Sequence, residues 1–305
     1  MQRFGESNRL LNLHALKILL GIAALFLGMS IDYKKFKKLT KPALIASVVL
    51  LIVTLGLGGE TKGAARWLRF GGFGLQPSEF AKFALLFHLC TLIAVKGEVM
   101  KDFKRGFLPM MIWIGTVSVL VMLQPNFSTG AMIVLLGLVM LFMARARFLH
   151  LILSAAALVP LLAAYMLSAP YRMARIKSFL AGTADAGSIN YQLWQGIIGF
   201  GNGGIFGLGP GESKQRDLFL PESYGDFVFS IVGEEYGFVG TIVFMGMFLL
   251  IMLRGFKIAK AARDEFARLL AIAITCTTTL YALVNAGVSL GILPTTGLPM
   301  PFVSY

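Results

Sequence analysis

Three carboxylates stand where a polar, glycine-rich stretch of this chain gives way to an apolar one. Residues 199–240 read GFGNGGIFGLGPGESKQRDLFLPESYGDFVFSIVGEEYGFVG, with Asp226 where the apolar run begins and Glu234 and Glu235 inside it. An ionised carboxylate at the lip of an apolar layer can accept a proton from a hydroxyl or hold a divalent cation. An aspartate at a helix start is also a plain cap, because the macrodipole favours its ionised form there. On local sequence both readings of Asp226 stand. Glu234 lies about two helical turns further on, on a similar face. With Glu235 it brings acid into an apolar layer, where each group must pair with a cation, be protonated or face a polar cavity.

The cations that could serve these carboxylates lie elsewhere in the chain. Lys82 is one candidate partner for Glu234 and Glu235, yet it also follows Glu79 by three residues, a spacing that pairs two side chains on one helix face. The pair is either structural or part of a site. Arg66 and Arg69 flank Trp67. They read as an interfacial anchor or as guanidinium groups placed for lipid phosphates. Lys214 and Arg216 stand in the polar stretch before Asp226, with Glu222 between; Gln192 precedes that stretch beside Trp194 and Gln195. His14, His88 and His150 have no ligand spacing, and Cys90 and Cys276 lie in apolar runs. Neither a histidine metal site nor a disulfide framework is expected. There is no phosphate loop, and Gly207–Gly209 without a preceding strand is no nucleotide fingerprint.

The elements that hold these residues are mostly hydrocarbon. The 305 residues are 57% hydrophobic and 14% charged, against about 25% charged in a soluble domain, and mean hydropathy is +0.76. Apolar runs repeat from end to end, which predicts an all-α polytopic membrane protein. Eight spans are predicted, over residues 13–30, 43–57, 80–95, 107–123, 129–143, 148–167, 226–253 and 269–292. The net charge of +13 does not point to nucleic acid, because the cations cluster in short loops rather than along a stripe with interleaved aromatics.

Sixteen Lys and Arg fall in four alternate short loops and ten on the other side, eight of those ten in two longer loops. Short basic loops face the cytoplasm. Residues 58–79 and the large loop 168–225 are then extracytoplasmic, within one transmembrane domain covering residues 1–305. Residues 170–180 are basic and amphipathic, as in a helix lying on the bilayer surface. Residues 190–211 read as a glycine-dense loop that admits close backbone approach to a ligand. At 124–130, QPNFSTG is read as a structural turn. With no nucleotide site, a reaction on the outer face needs a substrate that arrives already activated.

Ordered motifs along the whole chain resemble the SEDS family (shape, elongation, division and sporulation), the FtsW and RodA group. They are QPSEFAK at 76–82, YQLWQ at 191–195, GGIFGLGPG at 203–211, LPE at 220–222, GDFVF at 225–229, GEEYGFVG at 233–240 and LPTTGLPMPFVSY at 293–305. The GEE triplet and the RFGESN-like start are more like FtsW. The resemblance implies a peptidoglycan glycosyltransferase acting in cell division, which polymerises lipid II at the outer face of the bacterial cytoplasmic membrane. It places the catalytic aspartate on Asp226 and implies a class B penicillin-binding protein, a transpeptidase, as partner among the divisome proteins. It also implies ten spans, so the first and last helices are expected to be missing from this sequence. The chain departs from the family in having Gly225 where threonine is common and Asn126 where aspartate is common.

The expected cofactor is at most a divalent cation, Mg or Mn, held by Asp226. Arg66, Arg69, Lys82, Lys214 and Arg216 are the cations expected at the lipid diphosphate, with Glu79, Gln192, Glu222 and Glu234 also in the substrate-binding set. Two rivals remain open at this level. A lipid II flippase would need a polar path through the spans, and a scaffold for the transpeptidase would not need Asp226.

Overall fold

The computed structural model describes residues 2–57, 68–70, 73–168, 170–181, 191–220 and 225–304. Contacts divide it into one unit at Met1–Leu39 and another at Thr40–Ser304. The helices are α1 (Gln2–Ser30), α2 (Tyr33–Leu57), α3 (Pro77–Lys96), α4 (Leu108–Leu123), α5 (Phe127–Met143), α6 (Phe148–Leu167), α7 (Pro170–Ala181), α8 (Tyr191–Gly203), α9 (Val228–Ala261) and α10 (Glu265–Ser289). Six stretches are long and apolar enough to cross a bilayer, and Ala15–Ser30 and Phe127–Met143 are shorter apolar helices. Together they coincide with the eight predicted spans. The chain is a polytopic helical membrane protein.

Some boundaries differ from the sequence reading. The predicted basic loop at 32–41 is largely the first turns of α2, whose start is fixed by Asp32 accepting from the Lys34 amide at 2.9 Å. Likewise α9 runs on to Ala261, so Arg254, Lys257 and Lys260 lie on helix rather than in a loop. Lys and Arg are good helix formers and carry their charge to water on long apolar stems, so a helix can outlast its apolar window. Asp264 then caps α10, accepting from the Ala267 amide at 2.9 Å. Ahead of α3, two three-residue strands that the sequence reading lacked, β1 (Leu68–Phe70) and β2 (Phe73–Leu75), pair antiparallel with Arg69 opposite Gly74.

The core of the larger unit is built around α10, which packs on α9, α3, α5 and α8. Phe229, Phe248, Ala282, Ala286 and Met300 form one buried cluster, and Leu193, Leu220, Phe227, Ile231 and Val288 another. Most of the named residues come from α9 and α10, so these helices are locked where α9 begins. The amphipathic α7 is helical as expected. The glycine-dense stretch after it is a loop only in its second part: α8 occupies Tyr191–Gly203, and residues 204–211 form the loop that follows. Gly196, Gly199 and Gly203 all face α9, and a Cβ on Gly203 would stand 2.1 Å from the Gly233 carbonyl oxygen. Here glycine serves helix contact rather than flexibility.

Candidate active site

Asp226 lies just outside α9. Phe227 occupies the N-cap position, and the Ser230 and Ile231 amides donate to its carbonyl. The carbonyls of Gly225 and Asp226 come before that ladder. Asn285 of α10, 1% exposed, donates from Nδ2 to the Asp226 carbonyl at 2.9 Å and to the Leu298 carbonyl at 2.9 Å. Ser304 donates from Oγ to the Gly225 carbonyl at 2.7 Å and accepts from the Met300 amide at 2.8 Å. A Cβ on Gly297 (φ +70°) would stand 3.5 Å from Asp226 Oδ2. The segment after α10 therefore folds back along the half-buried aspartate.

One turn back along α10 from Asn285, the Tyr281 ring lies 4.0 Å from Lys82 Nζ. Lys82 donates to Glu79 Oε2 at 2.6 Å. The i, i+3 pairing expected on α3 is present, and it faces the helix that also holds the Asp226 backbone. Lys82 is thus not the partner of Glu234 or Glu235, which corrects that expectation.

The acidic pair in α9 is engaged by the loop after α8. Glu234, 0% exposed, accepts from Ser213 Oγ, from the Gln215 amide at 3.2 Å and from Asn202 Nδ2 at 3.5 Å. Glu235 accepts from Arg216 Nη1 at 2.8 Å, and Arg216 also donates to Asp217 and to the Gly211 carbonyl. Glu234 offers no exposed oxygen to a substrate, and the Arg216 guanidinium is already committed within the fold.

The reason is a break in α9. Gly237 has φ +65° and ψ −165° inside the helix. The Leu208 and Gly209 amides donate to the Glu234 and Glu235 carbonyls at 3.0 Å each. The Phe238 and Val239 amides donate to Gly204 and Ile205 at 2.9 and 3.1 Å. Loop 203–209 is inserted into the broken helix and satisfies its backbone. Gly207 (φ +86°) permits this, since a Cβ there would stand 2.2 Å from the Glu235 carbonyl oxygen.

The FtsW/RodA/SpoVE family, described as "Cell cycle protein", matches residues 1–305. The chain belongs to this family. A Geobacter metallireducens relative named "Probable peptidoglycan glycosyltransferase FtsW" is 38% identical over 100% of this chain and 82% of its own length. Stage V sporulation protein E of Bacillus subtilis is 34% identical over 94% of this chain and 79% of its own. A solved peptidoglycan synthase complex, described as coordinating polymerization and crosslinking, contains a chain that superposes with a TM-score of 0.80. It is 27% identical and covers 95% of this chain and 82% of that one. Thermus thermophilus RodA superposes with a TM-score of 0.67 at 26% identity, covering 94% and 77%.

Within this FtsW/RodA-type fold the remaining predicted residues scatter. Gln192 is half-buried in the first turn of α8, and Lys214 is exposed. Arg66 and Glu222 lie outside the described residues, as does the side chain of Arg69. Among the described residues no three His, Cys, Asp or Glu cluster as metal ligands. Asp226 offers a single carboxylate. Asn285, Gly297 and Ser304 were not read as site residues. The signal available was an asparagine in an apolar helix together with the 293–305 motif, to which only family likeness had been attached.

Proposed function

We infer that this chain is a peptidoglycan glycosyltransferase that polymerises lipid II, with Asp226 as its catalytic base. The observation that carries the reading is the placement of a half-buried aspartate at the mouth of α9, held through its backbone by α10 and flanked by the returning segment, in a chain of this family. The acceptor sugar's 4-hydroxyl attacks the anomeric carbon of the lipid-linked chain. Its proton passes to the Asp226 carboxylate as the new C–O bond forms. The bond to the diphosphate breaks with its electron pair left on the diphosphate oxygen, and the proton is later lost to water. The lipid already carries the activated bond, so no nucleotide enters.

The basic end of α9 and the cations Lys96, Lys101, Lys104 and Arg105 between α3 and α4 support a cytoplasmic position for that face. The α3, α9 and α10 termini around Asp226 are then extracytoplasmic, at the bacterial inner membrane. Exposed Lys214, with Arg66 and Arg69, supplies cations for the leaving diphosphate. A divalent ion, Mg²⁺ or Mn²⁺, would supply charge neutralisation at the leaving diphosphate, and Asp226 would then hold it instead of acting as the base. Likeness to a chain of a synthase complex supports a class B penicillin-binding protein as the partner.

The deciding experiment is Asp226→Ala, reconstituted with that partner and supplied with lipid II. It is expected to insert and fold normally and to make no glycan polymer; polymer at the wild-type rate would refute the assignment. Chelation by EDTA is expected to slow polymerisation, with Mg²⁺ or Mn²⁺ restoring it. An unchanged rate in EDTA removes the metal from the reading.

A further inference from the structure

We propose that Asn285 is the positioning residue for Asp226, an inference that rests on the catalytic reading of that aspartate. The carbonyls of Gly225 and Asp226 precede the α9 ladder, in a setting where backbone acceptors need partners. Asn285 spends the donors of one amide on two segments far apart in sequence: the Asp226 carbonyl before α9 and the Leu298 carbonyl after α10. Ser304 forms the parallel link, from its hydroxyl to the Gly225 carbonyl, while accepting from Met300. The two consecutive peptides that carry the aspartate are thereby tied to the returning segment, which brings Gly297 alongside the carboxylate.

The residue types follow from these demands. An asparagine amide offers two N–H donors; aspartate offers none when ionised, and leucine none at all. Asn285 is buried in α10, one turn from Tyr281 and the Lys82–Glu79 pair, so its own position is set by packed helix. A general base must lie within hydrogen-bond reach of the proton it takes, and small displacements are amplified in rate. Asn285 need not touch substrate to matter; it sets where the carboxylate stands.

The test compares Asn285→Ala, Asn285→Asp and Ser304→Ala in the full-length protein with its partner, measuring kcat and KM for lipid II polymerisation. In folded Asn285→Ala, kcat is expected to fall at least tenfold while KM stays within about twofold. Asn285→Asp is expected to be at least as impaired, and Ser304→Ala to show a smaller effect of the same kind. If Asn285→Ala does not fold, Ser304→Ala carries the test through the same split of kcat against KM. An unchanged kcat in folded variants would overturn the proposal, as would a loss that only tracks the amount of folded protein. Should Asp226→Ala be inactive while Asn285→Ala is normal, this inference fails alone; should Asp226→Ala be active, the functional reading fails first.

Discussion

Glu79 and Lys82 form one ion pair with unequal surroundings. The Lys82 side chain is 3% exposed and that of Glu79 36%. Removing Glu79 leaves a buried ammonium beside the Tyr281 and Phe83 rings. Removing Lys82 leaves a carboxylate that can reach water. Glu79→Ala is therefore expected to cost about 3 kcal/mol, the scale for an uncompensated buried charge. Lys82→Met keeps the apolar stem against Tyr281 and is expected to cost less than half as much. Thermal unfolding in detergent checks the order, and equal losses would contradict it. The pair itself was readable from i, i+3 spacing on one helix. The partners of Glu234 were not: Ser213, Gln215 and Asn202 are 21, 19 and 32 positions away. No local pattern connects a buried acid to donors that a loop delivers through a broken helix.

Among the elements, α8 and α9 meet through glycine. A Cβ on Gly203 would stand 2.1 Å from the Gly233 carbonyl oxygen and 3.0 Å from Glu234 Cα, both backbone atoms that cannot rotate away. Gly203→Ala must push the helices apart, at an expected loss of about 2 kcal/mol or more, and polymerase activity should fall with it. Gly201, two positions earlier on the same helix, has nothing within 4 Å of such a Cβ. Gly201→Ala is expected to be neutral or to stabilise by about 0.5–1 kcal/mol through helix propensity. Melting curves of the two variants provide the comparison; a stable Gly203→Ala would mean the helices are not in this close contact. The eight apolar helices were legible because each needs only its own hydrocarbon to be recognised. The helix in the glycine-dense stretch was not, because its glycines are explained by a neighbour and look the same as those of a loop.

For the whole molecule, the two ends of α9 report which end of the bundle faces out. Lys214 precedes α9 and Lys257 lies near its far end, and both are exposed. Single substitutions Lys214→Cys and Lys257→Cys test the orientation, since Cys90 and Cys276 are buried and give little background. A membrane-impermeant maleimide added to intact cells is expected to label Lys214→Cys at once, and Lys257→Cys only after permeabilisation. The reverse pattern would place Asp226 on the cytoplasmic side and remove the proposed reaction from reach of its substrate. The sequence by itself determined the class, the eight spans and the Glu79–Lys82 pair. Those properties depend on apolar length, helical spacing and the cost of charge in hydrocarbon, all of them local. Only tertiary structure decided that Glu234 and Arg216 serve the α9 break, and that Asn285, Gly297 and Ser304 surround the aspartate. Those relations join segments up to 79 positions apart, and they exist only once helices and the returning chain have packed.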